Sequence, residues 1–222
     1  MKESGVEWIG KIPKPWKLSI FKYHIYTRAR LGWKGLKADE YVDDGYIFLA
    51  TPNIKGESID FKNVNYINRH RYEESPEIML KVGDILLTKD GSTLGTVNIV
   101  RYLPKKATVN GSIAVLTPNK DIISEYLYYY LNSYYIQTVM QEKKDGIGVP
   151  HLFQRDINNF NLIIPSIKEQ QDICNYLNKR ISEINTLITK KQELITQLEL
   201  YKKSLVYECV TGKKEVAVAY GY

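Results

Sequence analysis

PSIKEQQDICNYLNKRISEINTLITKKQELITQLELYKKSLVYECVTG, residues 165–212, decides the architecture of this chain. It reads as one uninterrupted helix. Ser166 and Glu169 form an S-x-x-E capping box directly after Pro165. Gly212 supplies a left-handed stop at the end of the run. Neither proline nor glycine falls between them. About 40 helical residues span roughly 60 Å. That is too long for its apolar face to be covered by one small domain, so part of the helix needs a partner helix.

The apolar face follows a heptad pattern. One row holds Cys174, Ile181, Ile188, Ile195 and Lys202; a second holds Leu177, Ile184, Lys191, Leu198 and Leu205. A flanking row adds Ile173, Leu187, Leu194 and Tyr201. Three rows make a face broad enough to pair and also to rest on other protein. Lys191 and Lys202 interrupt it and can set register or orientation at some cost in stability. The expected dimerisation residues are Leu177, Ile181, Ile184, Ile188, Leu194, Ile195, Leu198 and Leu205. A long helix packed on its own domain is the rival reading, and the length argues against it.

A length of 222 residues allows one good-sized domain plus an appendage. Hydrophobic content of 44% with 25% charged residues is ordinary for a globular protein. No apolar run approaches the ~18 residues needed to cross a bilayer. MKESGVEWIG at the start has no apolar signal core, so the expected compartment is the cytosol, without membrane attachment. Cys174 and Cys209 sit far apart on one helix and offer neither a disulfide framework nor a CxxC clip. The net charge of +6 favours a polyanionic partner. The basic residues are spread along the chain, so any nucleic-acid surface must be assembled by folding.

Upstream of the helix, short apolar runs are bounded by Gly, Pro, Asn and Asp: YIFLATPNI (46–54), NVNYI (63–67), DILLT (84–88), TVNIVRYL (96–103) and SIAVLTP (112–118). These read as strands. Trp8, Ile9, Ile12 and Trp16 anchor a loop-like N-terminal segment. The period then changes, and SEYLYYYLNSYYIQTVMQ (124–141) is expected to form one helix of about 18 residues, its tyrosines packing rather than stacking on bases. A short helix near Leu152–Asn158 and a last strand, NFNLIIP, lead into the long helix. The expected fold is α+β: a β-rich mixed domain over 1–165, a spacer helix over 166–212 and a tail over 213–222.

Chemistry-bearing motifs are missing. There is no H-x-E or CxxC zinc pattern, no phosphate-binding G-x-x-x-x-G-K-[ST] loop, no G-x-S-x-G elbow and no Gly-rich dinucleotide loop. The Asn/Asp-Pro-Pro-aromatic tetrad of amino-methylating enzymes is absent, and Thr51-Pro52-Asn53 does not replace it. His24, His70 and His151 are isolated in sequence. The chain reads as a reader or adaptor, with no cofactor or metal of its own.

Four segments combine cations, hydroxyls, amides and glycine. In Lys89-Asp90-Gly91-Ser92-Thr93-Leu94-Gly95, Lys89 can meet a phosphate while Ser92 and Thr93 reach phosphate or a base edge. The same residues also fit a β-turn with Gly91 at positive φ. Residues 28–37 set Arg28, Arg30, Lys34 and Lys37 around Trp33, suited to a phosphate backbone or simply to solvent. Lys143 and Lys144 precede a Gly-hinged stretch that runs to His151 and Arg155, and glycines let the backbone approach a ligand closely. Thr51, Asn53 and Lys55 form a weaker fourth group.

GVEWIGKIPKPWKL (5–18), GDILLTKDGSTLGTVNIV (83–100), GVPHLFQRDINNFNLIIPSIKEQQDICNYLN (148–178) and VTGK (210–213) occur in an order that resembles half of a Type I restriction–modification specificity subunit. The resemblance implies a target recognition domain reading double-stranded DNA and a spacer helix in an antiparallel coiled coil. It also implies methylation subunits that dock around the coil and modify adenine with S-adenosylmethionine, restriction subunits being able to join. Such subunits carry two recognition domains and two helices. This chain has one of each, whether it is a half-length subunit or a piece of a longer one. A homodimer with twofold symmetry then implies an inverted-repeat site with an unread spacer.

Three functions from different classes remain open on the sequence alone. The first is a DNA-sequence-reading module that targets a methyltransferase. The second is a protein-docking adaptor whose basic loops bind nothing specific, marked by DNA binding that vanishes at moderate salt without sequence preference. The third is a methyltransferase with diverged motifs, marked by cofactor binding to the isolated chain.

Overall fold

The computed structural model describes residues 1–7, 9–30, 36–143 and 150–215. The chain divides into two compact units, Met1–Cys174 and Asn175–Tyr222. The first is a mixed α+β domain. Its strands are β1 (Lys2–Glu3), β2 (Lys11–Ile12), β3 (Lys17–Ile20), β4 (Ile25–Arg28), β5 (Tyr41–Val42), β6 (Tyr46–Leu49), β7 (Asn65–Ile67), β8 (Ile85–Thr88), β9 (Val97–Ile99), β10 (Ala107–Val109), β11 (Ile113–Pro118) and β12 (Asn161–Ile164). Its short helices are α1 (Arg69–Glu73), α2 (Ser124–Leu131), α3 (Tyr134–Lys143) and α4 (Gln154–Asn158); the long helix, α5, is Ile167–Val210.

The central sheet has strand order β4-β11-β8-β9 and is antiparallel throughout. Both of its faces are buried. Ile85, Leu87, Ala114 and Leu116 face one cluster, with Leu127, Ile136 and Ile157 from the helices. Leu86, Ile113 and Val115 alternate to the other face and meet Ile47, Leu49 and Val109 of the second sheet. This double burial explains why DILLT and SIAVLT read as nearly continuous apolar runs. The second sheet has order β10-β6-β7-β5, with β10 parallel to β6. β3 pairs with β12, Leu18 opposite Ile163, which ties the N-terminal segment to the strand before the long helix.

The N-terminal segment expected as a loop carries β1, β2 and β3, and two further runs differ from the sequence reading. The run 124–141 is two helices, α2 and α3, separated at Asn132-Ser133. There the Ser133 hydroxyl donates to Tyr130 O at 2.6 Å and the Asn132 amide to Tyr128 O at 2.9 Å. Short polar side chains of this kind compete with the helical backbone ladder. The strand expected over 46–54 stops at Leu49, and Thr51–Ile54 forms a 3-10 turn. Pro52 lacks the N–H that a continuing ladder requires.

The tyrosines of α2 pack as expected. Tyr126 and Tyr130 donate their hydroxyls to Ile163 O and Asn161 O, both at 3.0 Å, and so fasten α2 to β12. Burial raises both phenols well above their ordinary value and keeps them neutral donors.

The capping box at the start of α5 is formed. Ser166 N donates to Glu169 Oε2 at 2.9 Å, and Glu169 N donates to Ser166 Oγ at 3.3 Å. Gln170, fully buried, donates to Asp121 O and Pro165 O and accepts from Ile123 N, locking the first turn to the domain. At the far end Gly212 has φ +72°, the left-handed stop.

In the second unit, Ile181, Ile184, Ile188, Leu194, Ile195 and Leu198 are each between 38% and 58% exposed, so the seam is uncovered in the single chain. Leu177 and Leu205 are half-buried. Among the described residues no helix is long and apolar enough to cross a membrane.

Candidate nucleic-acid interface

Three separate segments of the first unit meet at one surface depression of about 370 Å³. Its lining is Thr51, Pro52 and Lys55 from the 3-10 turn after β6, Asp90 to Thr93 from the β8–β9 turn, and Ser112 from the β10–β11 turn. His151 adjoins this lining through its Nδ1, which hydrogen-bonds Asp90 Oδ1. Members of three of the four groups expected from sequence thereby lie close together: Thr51 and Lys55, Ser92 and Thr93, and, through Asp90, Lys89 and His151.

Each segment is held by the fold behind it. Gly91 has φ +86°, so the β8–β9 turn uses the left-handed region that glycine enters freely. Lys89 N donates to Ser112 O at 2.8 Å, which sets the two turns side by side. Asn98, buried in the middle of β9, donates to Ile54 O at 3.2 Å and Gly56 O at 2.9 Å. These carbonyls flank Lys55, so an amide on the central sheet fixes the backbone that presents the exposed Lys55. Leu152 N donates to Lys89 O and Gly91 N to Pro150 O, joining residues 150–152 to the turn.

The surface offers the hydroxyls of Thr51, Ser92, Thr93 and Ser112 and the ammonium of Lys55. Hydroxyls donate and accept, and so serve phosphate oxygens or base edges; a lysine adds a point charge for phosphate. Lys89 Nζ pairs with Asp90 Oδ2 at 2.9 Å, so its charge is partly neutralised in the free protein. Among the described residues no group of three His, Cys, Asp or Glu is placed to hold a metal ion.

The remaining candidates separate. Arg28 is a correction: its guanidinium is buried, donating to Asp84 Oδ2 at 2.8 Å, Thr117 Oγ1 at 2.7 Å and Met79 O at 2.9 Å, and it is not presented to a phosphate. Asn53 is another. It is buried, accepts from Ala50 N at 2.8 Å and donates to Asn63 O at 2.7 Å, closing its own turn instead of reading a base. Arg30 is half-buried among Arg71, Glu74, Glu77 and Glu40, its pKa lowered by burial and then by the Arg71 charge. Lys37 is exposed, with its backbone N–H on Glu40. Lys143 is exposed at the end of α3. Arg155 on α4 is exposed and lies over the Phe153 ring at 4.8 Å. Lys34 and Lys144 lie outside the described residues.

Ser112, Asp90, Asn98 and Phe153 complete the picture and were not singled out from sequence. Asn110-Gly111-Ser112 carried a readable signal, a turn between two apolar runs. Nothing local marked Asn98, since a polar residue inside an apolar run has no sequence-visible partner.

The family model of the Type I restriction modification DNA specificity domain matches residues 35–197. The chain is similar to the Type I restriction enzyme MjaVIII specificity subunit of Methanocaldococcus jannaschii, 23% identical over 212 residues, covering 94% of this chain and 48% of that protein. It is also similar to the MjaIX specificity subunit of the same organism, 30% identical over 208 residues, covering 87% and 44%. Its fold matches the HsdS subunit from Thermoanaerobacter tengcongensis with a TM-score of 0.67 at 15% identity, over 90% of this chain and 45% of that one. A chain from a structural study of complex assembly in the type I R-M system matches with a TM-score of 0.72 at 15% identity, over 90% and 46%. The chain thus spans about half the length of the curated relatives it matches. With the expected motifs in order, the fold shared and most of the chain matched, this protein belongs to the Type I restriction modification DNA specificity domain family.

Proposed function

We propose that this chain reads one half of a bipartite double-stranded DNA site and directs a partner methylation subunit to it, without being a catalyst itself. The observation that carries this reading is the convergence of Thr51, Lys55, Ser92, Thr93 and Ser112 from separate segments onto one open surface. An arrangement rich in hydroxyls that also carries the exposed Lys55 ammonium is suited to positioning on phosphate and discriminating base edges. In this reading the exposed seam of α5 pairs two copies in an antiparallel coiled coil, and the twofold axis makes the site an inverted repeat. The 44-residue helix is roughly 66 Å long, which spaces the half-sites by more than one ~34 Å duplex turn. S-adenosylmethionine belongs to the methylation subunit, restriction subunits can join, and the assembly works in the cytoplasm.

Selection of the full chain against a randomised duplex library tests the reading. The expected outcome is enrichment of two inverted half-sites with an unread spacer. Binding that shows no preference and disappears at moderate salt would favour the docking adaptor instead.

A further inference from the structure

An acidic residue stands in the middle of the surface just assigned to a polyanion. Asp90 lines the depression beside Ser92 and Thr93, where its carboxylate repels phosphate. Its two oxygens are both engaged. Oδ2 accepts from Lys89 Nζ at 2.9 Å, and Oδ1 meets His151 Nδ1. Asp90 and His151 also face each other in an isolated antiparallel bridge, 61 residues apart in sequence. Beyond it, the His151 ring meets the edge or face of Phe153 at 4.4 Å between centroids, and Phe153 carries the Arg155 guanidinium at 4.8 Å. A continuous series of contacts therefore runs from the β8–β9 turn through Asp90 to the exposed Arg155.

We infer that Asp90 is a positioning residue for sequence discrimination: it clamps the β8–β9 turn to the His151–Arg155 segment, so that two loops meet DNA as one surface. The inference rests on the DNA-reading function proposed above. The clamp opposes affinity, because it holds Lys89 away from phosphate and adds a negative charge. It favours specificity, because hydroxyls discriminate bases only when their backbone is fixed relative to the duplex. The carboxylate is thus placed to lower binding to arbitrary DNA while sharpening the choice among sequences.

The test uses the full chain, tagged at its own locus and purified with whatever accompanies it. The duplex selected by the wild type is compared with an unselected random pool across a salt series, for wild type, Asp90→Ala, Asp90→Asn and His151→Ala. The expected result for Asp90→Ala is a loss of preference of about tenfold or more, the scale of one misread base pair. Binding to the random pool tightens at the same time, and the log–log salt slope steepens by about one as Lys89 is freed. Asp90→Asn, which keeps the turn but lacks the ion pair with Lys89, gives the same tighter background with a smaller loss of preference. His151→Ala loses preference without the steeper slope. A purely structural aspartate would lower the melting temperature and weaken all duplexes alike with the slope unchanged, and that pattern overturns the inference. Equal tightening on every sequence with preference intact also overturns it. A wild type that selects no sequence overturns the DNA-reading function itself, and the inference with it.

Discussion

Arg28 Nη2 donates to Asp84 Oδ2 at 2.8 Å in the interior of the domain, with the two side chains 8% and 0% exposed. The same aspartate accepts from the Thr117 hydroxyl and from Lys81 N at 2.8 Å, and Arg28 adds bonds to Met79 O and Glu77 O. A cation that looked available in sequence instead ties the edge strand β4 to the segment before β8.

Removing one partner of such a pair leaves the other charged and buried. Arg28→Ala is expected to destabilise the domain by about 3–5 kcal/mol. Chemical denaturation measures this. The salt slope of DNA binding should not change, and a slope lowered by one phosphate contact would return Arg28 to the interface.

Lys55 and the hydroxyls of the depression should separate by effect. Lys55→Ala lowers the salt slope by about one and weakens all duplexes equally. Ser92→Ala with Thr93→Val lowers discrimination more than background binding. Asn98→Ala leaves Ile54 O and Gly56 O without their donor, at about 1–3 kcal/mol each if they stay dry, and loosens the Lys55 turn. Filter binding on selected and random duplexes reads all three.

At the helix start, Trp16 Nε1 donates to Glu169 Oε1 at 2.9 Å, and Ser166 donates from its hydroxyl and its backbone. The indole bond first, then the serine bonds, hold Glu169 below the ordinary carboxylate value. A pKa lowered on folding contributes stability above the unfolded value and loses it as pH falls through the folded one. The wild type should therefore lose part of its stability below the ordinary glutamate range, and Glu169→Gln should be weaker at neutral pH with a flatter acid limb. Ser166→Ala is expected to cost about 1 kcal/mol as a lost cap. Denaturation midpoints from acid to neutral pH provide the comparison.

The apolar seam predicts a solution dimer. Ile188→Asp combined with Ile195→Asp puts four carboxylates at the centre of the proposed coiled coil, and each lost isoleucine contact is worth about 1.5–3 kcal/mol. Mass measurement should show a dimer for wild type and a monomer for the variant, with the globular unit still folded. A monomer in both cases would remove the twofold DNA site from the proposal.

The two cysteines should behave oppositely. Burial, and secondarily Glu125, pushes the Cys174 thiol up to about 11, so it stays protonated and shielded at pH 8. Cys209 continues the heptad row of Ile188 and Ile195 and is only half-buried. Iodoacetamide is expected to spare Cys174 in the native chain and to modify Cys209 faster in the Asp variant than in the wild type. Peptide mass mapping distinguishes the two sites.

The sequence by itself determined the long helix, its capping box at Ser166 and Glu169, its stop at Gly212 and the apolar rows between them. These depend on residues three, four or seven positions apart, so the information is local and periodic. It also located the strand-rich runs and the β8–β9 turn. Tertiary structure alone decided that Arg28 and Asn53 turn inward while Thr51, Lys55 and Ser92 face a common surface that His151 adjoins through Asp90. That outcome depends on which strand lies beside which, and on buried polar groups such as Asn98 and Asp84 finding partners far away in the chain. No short-range pattern encodes a pairing like Asp90 with His151, because it exists only once the sheets have packed and brought the two segments within hydrogen-bond reach.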